Sequence, residues 1–146
     1  MTVKAIQAAD THPLRLLVLR PGGTPKDCDF PNDTAPETFH LGVFEKDQLI
    51  CVGSFYAEKR SRLAGRKHFR LRGMATHPDL RRKGAGTELM NAALEQLRAL
   101  QADRLWCNAR LRAVPFYERL GLVTEGPEFD IPGIGEHFLM HREIGV

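Results

Sequence analysis

The residues of this 146-residue chain best suited to chemistry gather in Arg81-Arg82-Lys83-Gly84-Ala85-Gly86-Thr87-Glu88, where small and cationic side chains meet the start of a helical pattern. Glycines at 84 and 86 carry no Cβ, so the backbone can turn tightly and bring its N–H groups against a bulky ligand. The first-turn amides of a helix lack intrahelical partners and together carry about half a positive charge, which favours phosphate oxygens. Three cationic side chains stand beside them. The chemistry implied is the gripping of a phosphorylated ligand.

Two elements must position that loop. Downstream, Ala85, Leu89, Met90, Ala93, Leu94, Leu97 and Leu100 recur at helical spacing, with Glu88, Asn91, Glu95, Gln96 and Arg98 between them, which predicts an amphipathic helix. Upstream, His68 to Thr76 reads as a strand halted at His77-Pro78. Phe69 and Leu71 share one face of it, Met74 has the opposite parity, and Gly73 sits at the change. A glycine at a phase slip predicts a β-bulge, which frees backbone groups for a ligand. Neither common phosphate fingerprint fits. A P-loop needs its lysine after the last glycine, whereas Lys83 precedes both; a dinucleotide loop wants glycine or alanine where Leu89 stands.

Strand, Arg81-x-x-Gly84-x-Gly86 and helix together resemble the acyl-coenzyme A motif of the GCN5-related N-acetyltransferase (GNAT) superfamily. Trp106-Cys107-Asn108 followed by Ala113-Val114-Pro115-Phe116-Tyr117-Glu118-Arg119-Leu120-Gly121 resembles that family's next strand and its tyrosine-bearing helix, in the same order and separation. The resemblance spans residues 3 to 143. It implies an α/β (α+β) three-layer fold, a mixed, mostly antiparallel sheet with a bulged central strand flanked by helices, in one domain over residues 1–146. It also implies transfer of an acetyl or other short acyl group from acetyl-CoA to an amine of a small molecule or peptide, by direct attack in a ternary complex.

Site roles follow from the same resemblance. The backbone of Met74, Ala75 and Thr76 would pair with the pantetheine arm, and Arg81, Arg82, Lys83, Gly84, Ala85, Gly86 and Thr87 would wrap the pyrophosphate. Asn108 would bond the pantetheine amides, with Ala113 and Phe116 packed against the arm. Tyr117 matches the general acid beside the thioester sulfur; a phenol of pKa about 10 can protonate a thiolate whose conjugate acid lies near 8.5. The competing reading makes Tyr117 simple core. Many family members carry a basic carboxylate on the bulged strand, where this chain has His68, Arg70 and Arg72. The general base is therefore sought among Glu58, His77 and His137, with His137 singled out because it begins the last strand beside the Pro132–Gly135 turn. Arg70 and Arg72 share a parity and read either as a solvated edge, the favoured reading, or as a guanidinium pair for an acceptor's carboxylate or phosphate. The missing carboxylate also leaves room for an acyl-CoA-binding sensor without turnover.

Composition limits the rest. Hydrophobic residues at 42% and charged residues at 27% suit a globular protein with one core. A net charge of +3 is too mild to imply nucleic acid. Cys28, Cys51 and Cys107 are odd in number and widely spaced, forming neither a disulfide framework nor a zinc pattern. Cys51 and Cys107 read as core and Cys28 as exposed in a polar loop. His137 and His141 have no glutamate placed to complete a metal set, so no metal is expected. No apolar run suggests a signal peptide or a membrane span, and the expectation is a cytoplasmic protein. A homodimer is one assembly the chain could form.

The remaining elements are predicted as a strand at Val3–Ile6, a helix at Thr11–Arg20 with Leu14, Leu17 and Val18 on one face, and a loop to Thr38. A hairpin of Phe39–Phe44 with Leu49–Tyr56 follows. Arg104–Cys107 reads as a short strand, a helix starts near Ala113, and Thr124–Phe129 and His137–Glu143 close the chain as strands.

Overall fold

The parity slip at Gly73 sits at the centre of the molecule. A computed structural model, which describes residues 1–145, forms a seven-stranded sheet of β1 (Thr2–Ile6), β2 (Phe39–Glu45), β3 (Gln48–Ala57), β4 (His68–Thr76), β5 (Arg104–Arg110), β6 (Val123–Ile131) and β7 (Gly135–Glu143). Their spatial order is β1-β2-β3-β4-β5-β7-β6, antiparallel throughout except between β4 and β5. In the β3–β4 ladder Val52 faces Ala75 and Ser54 faces Arg72, so Gly73 and Met74 together oppose Gly53. Gly73 has φ +67°, a left-handed value that glycine adopts without steric cost. The bulge turns Met74 to the face already occupied by Phe69 and Leu71, as the sequence pattern implied.

The helices cover both faces of this sheet. On one side α2 (Ala85–Ala99) inserts Leu89, Met90, Ala93 and Leu97, each fully buried, among Val43, Cys51, Phe55, Phe69 and Leu105, with α3 (Val114–Arg119) adding Tyr117. Burying such an aliphatic side chain contributes about 1.5–3 kcal/mol, so this stripe is a principal source of stability. On the other side α1 (Ala8–Leu14) packs Leu14 on Val52 and Ala75, and Leu63 covers Trp106 and Leu139. The β2–β3 hairpin turns through Lys46 and Asp47, both at positive φ, the geometry whose twist matches that of the strands.

Four sequence expectations need correction. The predicted helix Thr11–Arg20 is α1 followed by a π-helical turn, Arg15–Leu19, closed by the Arg20 N–H donating to the Arg15 carbonyl at 3.0 Å. That wider turn shifts the phase, so Leu17 is exposed and Arg15 is completely buried. Cys28 is buried too, turned inward by a 3₁₀ turn at Pro25–Cys28. β5 continues past Cys107 to Arg110 because β7 pairs with it along that whole length. Arg70 and Arg72 are not on a solvated edge, since β4 lies between β3 and β5.

Candidate active site

The parallel pairing of β4 with β5 ends early. His68, Phe69 and Arg70 face Arg104, Leu105 and Trp106, and beyond them both strands continue without partners across the gap. The bulge drives β4 away from β5, and the opening becomes a cleft of about 600 Å³, a volume suited to a ligand of cofactor size. Its walls include Met74, Thr76, Arg81, Arg82, Gly84, Ala85, Gly86, Thr87, Asn108, Ala113, Phe116, Tyr117 and His137. Residues far apart in the chain thus converge there. Ala75 and Lys83 do not line it: the Ala75 side chain packs under Leu14, and Lys83 Nζ reaches Glu45 Oε1 at 3.3 Å.

At one end of the cleft α2 starts from Gly84, whose φ of +84° requires the left-handed region. No side chain caps this helix, so the amides of its first turn are left for a ligand. Arg81 and Arg82 flank them. Asn108 lines the same space, and its buried Oδ1 has no hydrogen-bond donor among the described residues.

Tyr117 is buried and packs edge-on against Phe116 with centroids 5.1 Å apart. Burial pushes its phenol well above the ordinary tyrosine value, with the Cys107 and Cys51 thiols adding to the effect, so it holds its proton throughout the neutral range. His137, also buried, stacks on Phe129 at 5.9 Å. Its Nδ1 lies 2.8 Å from the Gly135 carbonyl oxygen, which can only accept, so Nδ1 is the donor and in the neutral imidazole Nε2 is the nitrogen with the lone pair. The other base candidates are engaged elsewhere. His77 Nδ1 accepts from the Asp79 amide at 3.2 Å, capping a short turn, and Glu58 pairs with Arg70 at 3.4 Å outside the cleft lining.

The strongest electrostatic feature was not legible from any one motif. Arg20, Arg70, Arg72, Arg110, Arg112 and Arg119 join Arg81 and Arg82 in the lining, which contains no carboxylate side chain among the described residues. Burial, then the neighbouring Arg70 charge, pulls Arg72 below the ordinary guanidinium value; burial, then Arg112 and Arg20, does the same to Arg110. Guanidinium groups remain charged under such pressure. The cleft therefore holds mutually repelling cations that an anion would neutralise. Phe30, from the connection that links the π turn to β2, forms part of the same wall.

A bulged central strand, a splayed β4–β5 pair and a glycine-started helix at the splay define an acyltransferase of the coenzyme A-dependent type. The Acetyltransferase (GNAT) family model matches residues 11–122. The uncharacterized N-acetyltransferase YitI of Bacillus subtilis is 38% identical over 144 residues, covering 99% of this chain and 97% of that one. The chain belongs to the GNAT family and is an acyl-CoA-dependent N-acyltransferase. Solved structures share the fold: an acetyltransferase of GNAT family from Streptococcus pneumoniae superposes with TM-score 0.72 at 20% identity over 99% of both chains. An aminoglycoside 6'-N-acetyltransferase complexed with coenzyme A gives 0.74 at 13% identity, covering 100% of this chain and 98% of that one. No helix among the described residues is long and apolar enough to cross a membrane.

Proposed function

We propose that the protein transfers the acetyl group of acetyl-CoA to the amine of a small acceptor bearing carboxylate or phosphate groups. The observation that carries this reading is the cleft wall of Arg20, Arg72 and Arg110, with no carboxylate in the lining among the described residues; Arg70 beside them is already paired with Glu58 at 3.4 Å. Guanidinium forks bind such anions bidentately, and in a half-buried cleft the pairing is little screened. A polycationic acceptor of the aminoglycoside kind would meet repulsion there.

The donor's place is supported by the free amides at the start of α2 with Arg81 and Arg82, and by the unsatisfied Asn108 Oδ1, which suits an amide N–H of the pantetheine arm. The backbone of Met74 to Thr76 would run beside that arm, with Ala113 and Phe116 against it. An amine of pKa about 10 arrives as its ammonium form and cannot attack. His137 Nε2 takes the proton, the freed nitrogen attacks the thioester carbonyl carbon, and the C–S bond breaks. The departing thiolate takes a proton from the Tyr117 phenol, the phenolate takes back the second proton that the acylated nitrogen sheds to become the neutral amide, and His137 returns its proton to solvent. Arg72 and Arg110 hold the acceptor's anionic group, so the attack geometry is set before the proton moves.

The test is coenzyme A release from acetyl-CoA with O-phosphoserine, aspartate, putrescine and kanamycin as acceptors. Turnover of the anionic amines and not of the cationic ones is expected. Faster turnover of putrescine or kanamycin would overturn the assignment, and coenzyme A binding with no turnover of any amine would favour a sensor.

A further inference from the structure

Arg15 lines neither ligand site, yet its side chain makes more hydrogen bonds than any other among the described residues. It is wholly buried, and the π-helical turn aims it under the cleft. Its Nη1 donates to the Cys28 carbonyl at 2.8 Å and to Asp33 Oδ2 at 2.6 Å; its Nη2 donates to Asp33 Oδ1 at 3.0 Å, Ser54 Oγ at 2.9 Å and Tyr56 Oη at 3.1 Å. The acceptors are in turn fixed. Tyr56 Oη donates to Asp33 Oδ1 at 2.5 Å, and the Phe30 amide donates to Asp33 Oδ2 at 3.0 Å. His40 Nε2 lies 2.8 Å from the Asp33 carbonyl, which can only accept, so His40 Nδ1 accepts from Ser54 Oγ at 2.6 Å. One buried network therefore bolts the connection between the π turn and β2 to the sheet.

What the bolt holds is a ring. Arg15 Cζ stands 4.0 Å from the centroid of Phe30, Arg72 Cζ stands 4.5 Å from the same centroid, and Arg20 Cζ 5.6 Å. Two of these cations line the acceptor side of the cleft; the third is the buried anchor. The bulge enters the same contact. A Cβ on Gly73 would come within 3.1 Å of Phe30 Cε2 and 3.2 Å of Arg15 Nε, and Gly73 immediately follows Arg72. An aromatic face attracts a guanidinium most strongly when both are shielded from water, so the ring selects where Arg72 and Arg20 can rest.

We propose that Arg15 is a positioning residue for the acceptor site, acting through Phe30 to fix the spacing of the Arg72 and Arg20 guanidinium groups that receive the acceptor's anionic group. The proposal rests on the anionic-acceptor reading above for its effect on kinetics, and on geometry alone for its effect on Arg72. A buried ion pair adds little net stability compared with an apolar replacement, and fixing the geometry of the groups around it is a use such a pair can serve. The donor end of the cleft, at Arg81 to Thr87, lies outside the network.

The experiment is steady-state kinetics on Phe30→Leu, Phe30→Tyr and Arg15→Lys with acetyl-CoA and O-phosphoserine, alongside thermal melts and a crystal structure of Phe30→Leu. Loss of the ring is expected to raise KM for O-phosphoserine about tenfold, the scale of one desolvated cation–ring contact. KM for acetyl-CoA stays within about twofold, because the donor loop is untouched. Phe30→Tyr keeps the ring and restores the native value. Arg15→Lys keeps the charge but loses the fork, and it follows Phe30→Leu if it folds. Equal increases in both KM values, or no change in a folded Phe30→Leu, would overturn the proposal. If the native protein acetylates no anionic amine, the acceptor reading fails separately and the crystal structure decides the positioning: a displaced Arg72 guanidinium supports it, an unmoved one refutes it.

Discussion

Replacing Gly84 and Gly86 by alanine, one at a time, separates two reasons for a glycine in the loop before α2. Gly84 sits at φ +84° with nothing within 4 Å of where a Cβ would stand, so alanine there meets no atom and suffers only backbone strain. That strain is about 1–2 kcal/mol, partly offset by about 0.4–1 kcal/mol from a stiffer unfolded chain. The net loss of about 1 kcal/mol lowers Tm by about 3 °C in a domain of this size. Gly86 is inside the first helical turn, where alanine is favoured by about 0.5–1 kcal/mol. Its Cβ, however, would stand 3.1 Å from Phe116 Cζ and 3.3 Å from Met74 Cε, both at the tips of side chains that line the cleft. Those tips must give by a few tenths of an ångström, and both belong to the cleft wall, so its shape changes with them. Gly86→Ala is therefore expected to keep its Tm within about 2 °C while KM for acetyl-CoA rises about fivefold, the equivalent of about 1 kcal/mol. Melting curves and acetyl-CoA titrations on both variants decide it. A destabilised Gly86→Ala with native KM, or a Gly84→Ala as stable as the native protein, would refute the reasoning.

Other consequences follow from the same geometry. Tyr117→Phe removes the proton donor but not the ring, so kcat should fall about 10²-fold with KM for acetyl-CoA unchanged; native turnover would take Tyr117 out of the mechanism. Arg110→Gln relieves repulsion from Arg112 and Arg20, so calorimetry should find Tm unchanged or raised while KM for an anionic acceptor rises about tenfold; a lower Tm would contradict the charge argument. Burial alone would raise the Asp33 carboxyl, but hydrogen bonds from Arg15, Tyr56 and the Phe30 amide outweigh it and hold it below its ordinary value. A depressed carboxyl stabilises the fold above the unfolded pKa of about 3.9 and ceases to do so as pH falls through the lower folded value. Asp33→Asn should therefore be less stable than the native protein at pH 7, with a difference that narrows below about pH 4; a constant difference across acid unfolding curves would count against it.

The bulge and the glycine-started helix, on which the proposed donor half rests, were readable in the sequence because their signals are local. Gly84 and Gly86 lie beside the cations they serve, and the parity change at Gly73 shows within the short run from Phe69 to Met74. The proposed acceptor half was only partly readable: Arg70 and Arg72 stood out as a same-parity pair, but the wall they belong to was hidden for a topological reason. Arg20, Arg72 and Arg110 come from the end of a π turn, a central strand and a neighbouring strand, and only the sheet order brings them to one wall. Arg15 was hidden differently. A helical period of 3.6 places Leu17 and Val18 beside Leu14, while the single wider turn recorded by the Arg20 to Arg15 hydrogen bond sends the cation inward and Leu17 outward. An arginine within an apolar stretch, with an aspartate-rich segment following it, was the available sign. Cys28 misled for a related reason: its neighbours Asp27 and Asp29 are exposed, but the short 3₁₀ turn that ends at Cys28 points the thiol into the protein.

One local event would account for both proposed subsites. If β4 paired with β5 along its full length, its backbone would be spent on the ladder and the sheet would be closed beneath α2 and α3. Pairing instead stops at Arg70 and Trp106, just short of the bulged glycine. From that point β4 offers unpaired backbone beside Met74 to Thr76, where a donor arm can lie, and β5 turns Asn108 and Arg110 toward the same opening. Arg72, the last residue before the bulge, is left at the mouth of the gap with Phe30 beneath it. A substitution that abolishes the bulge would therefore disable donor and acceptor together: Gly73→Val forces a β-branched side chain to φ +67° and against Phe30 and Arg15, both held by the buried network. Folded Gly73→Val protein should lose acetyl-CoA binding and anion binding in parallel by calorimetry. Loss of one without the other would mean that the two subsites have separate structural origins.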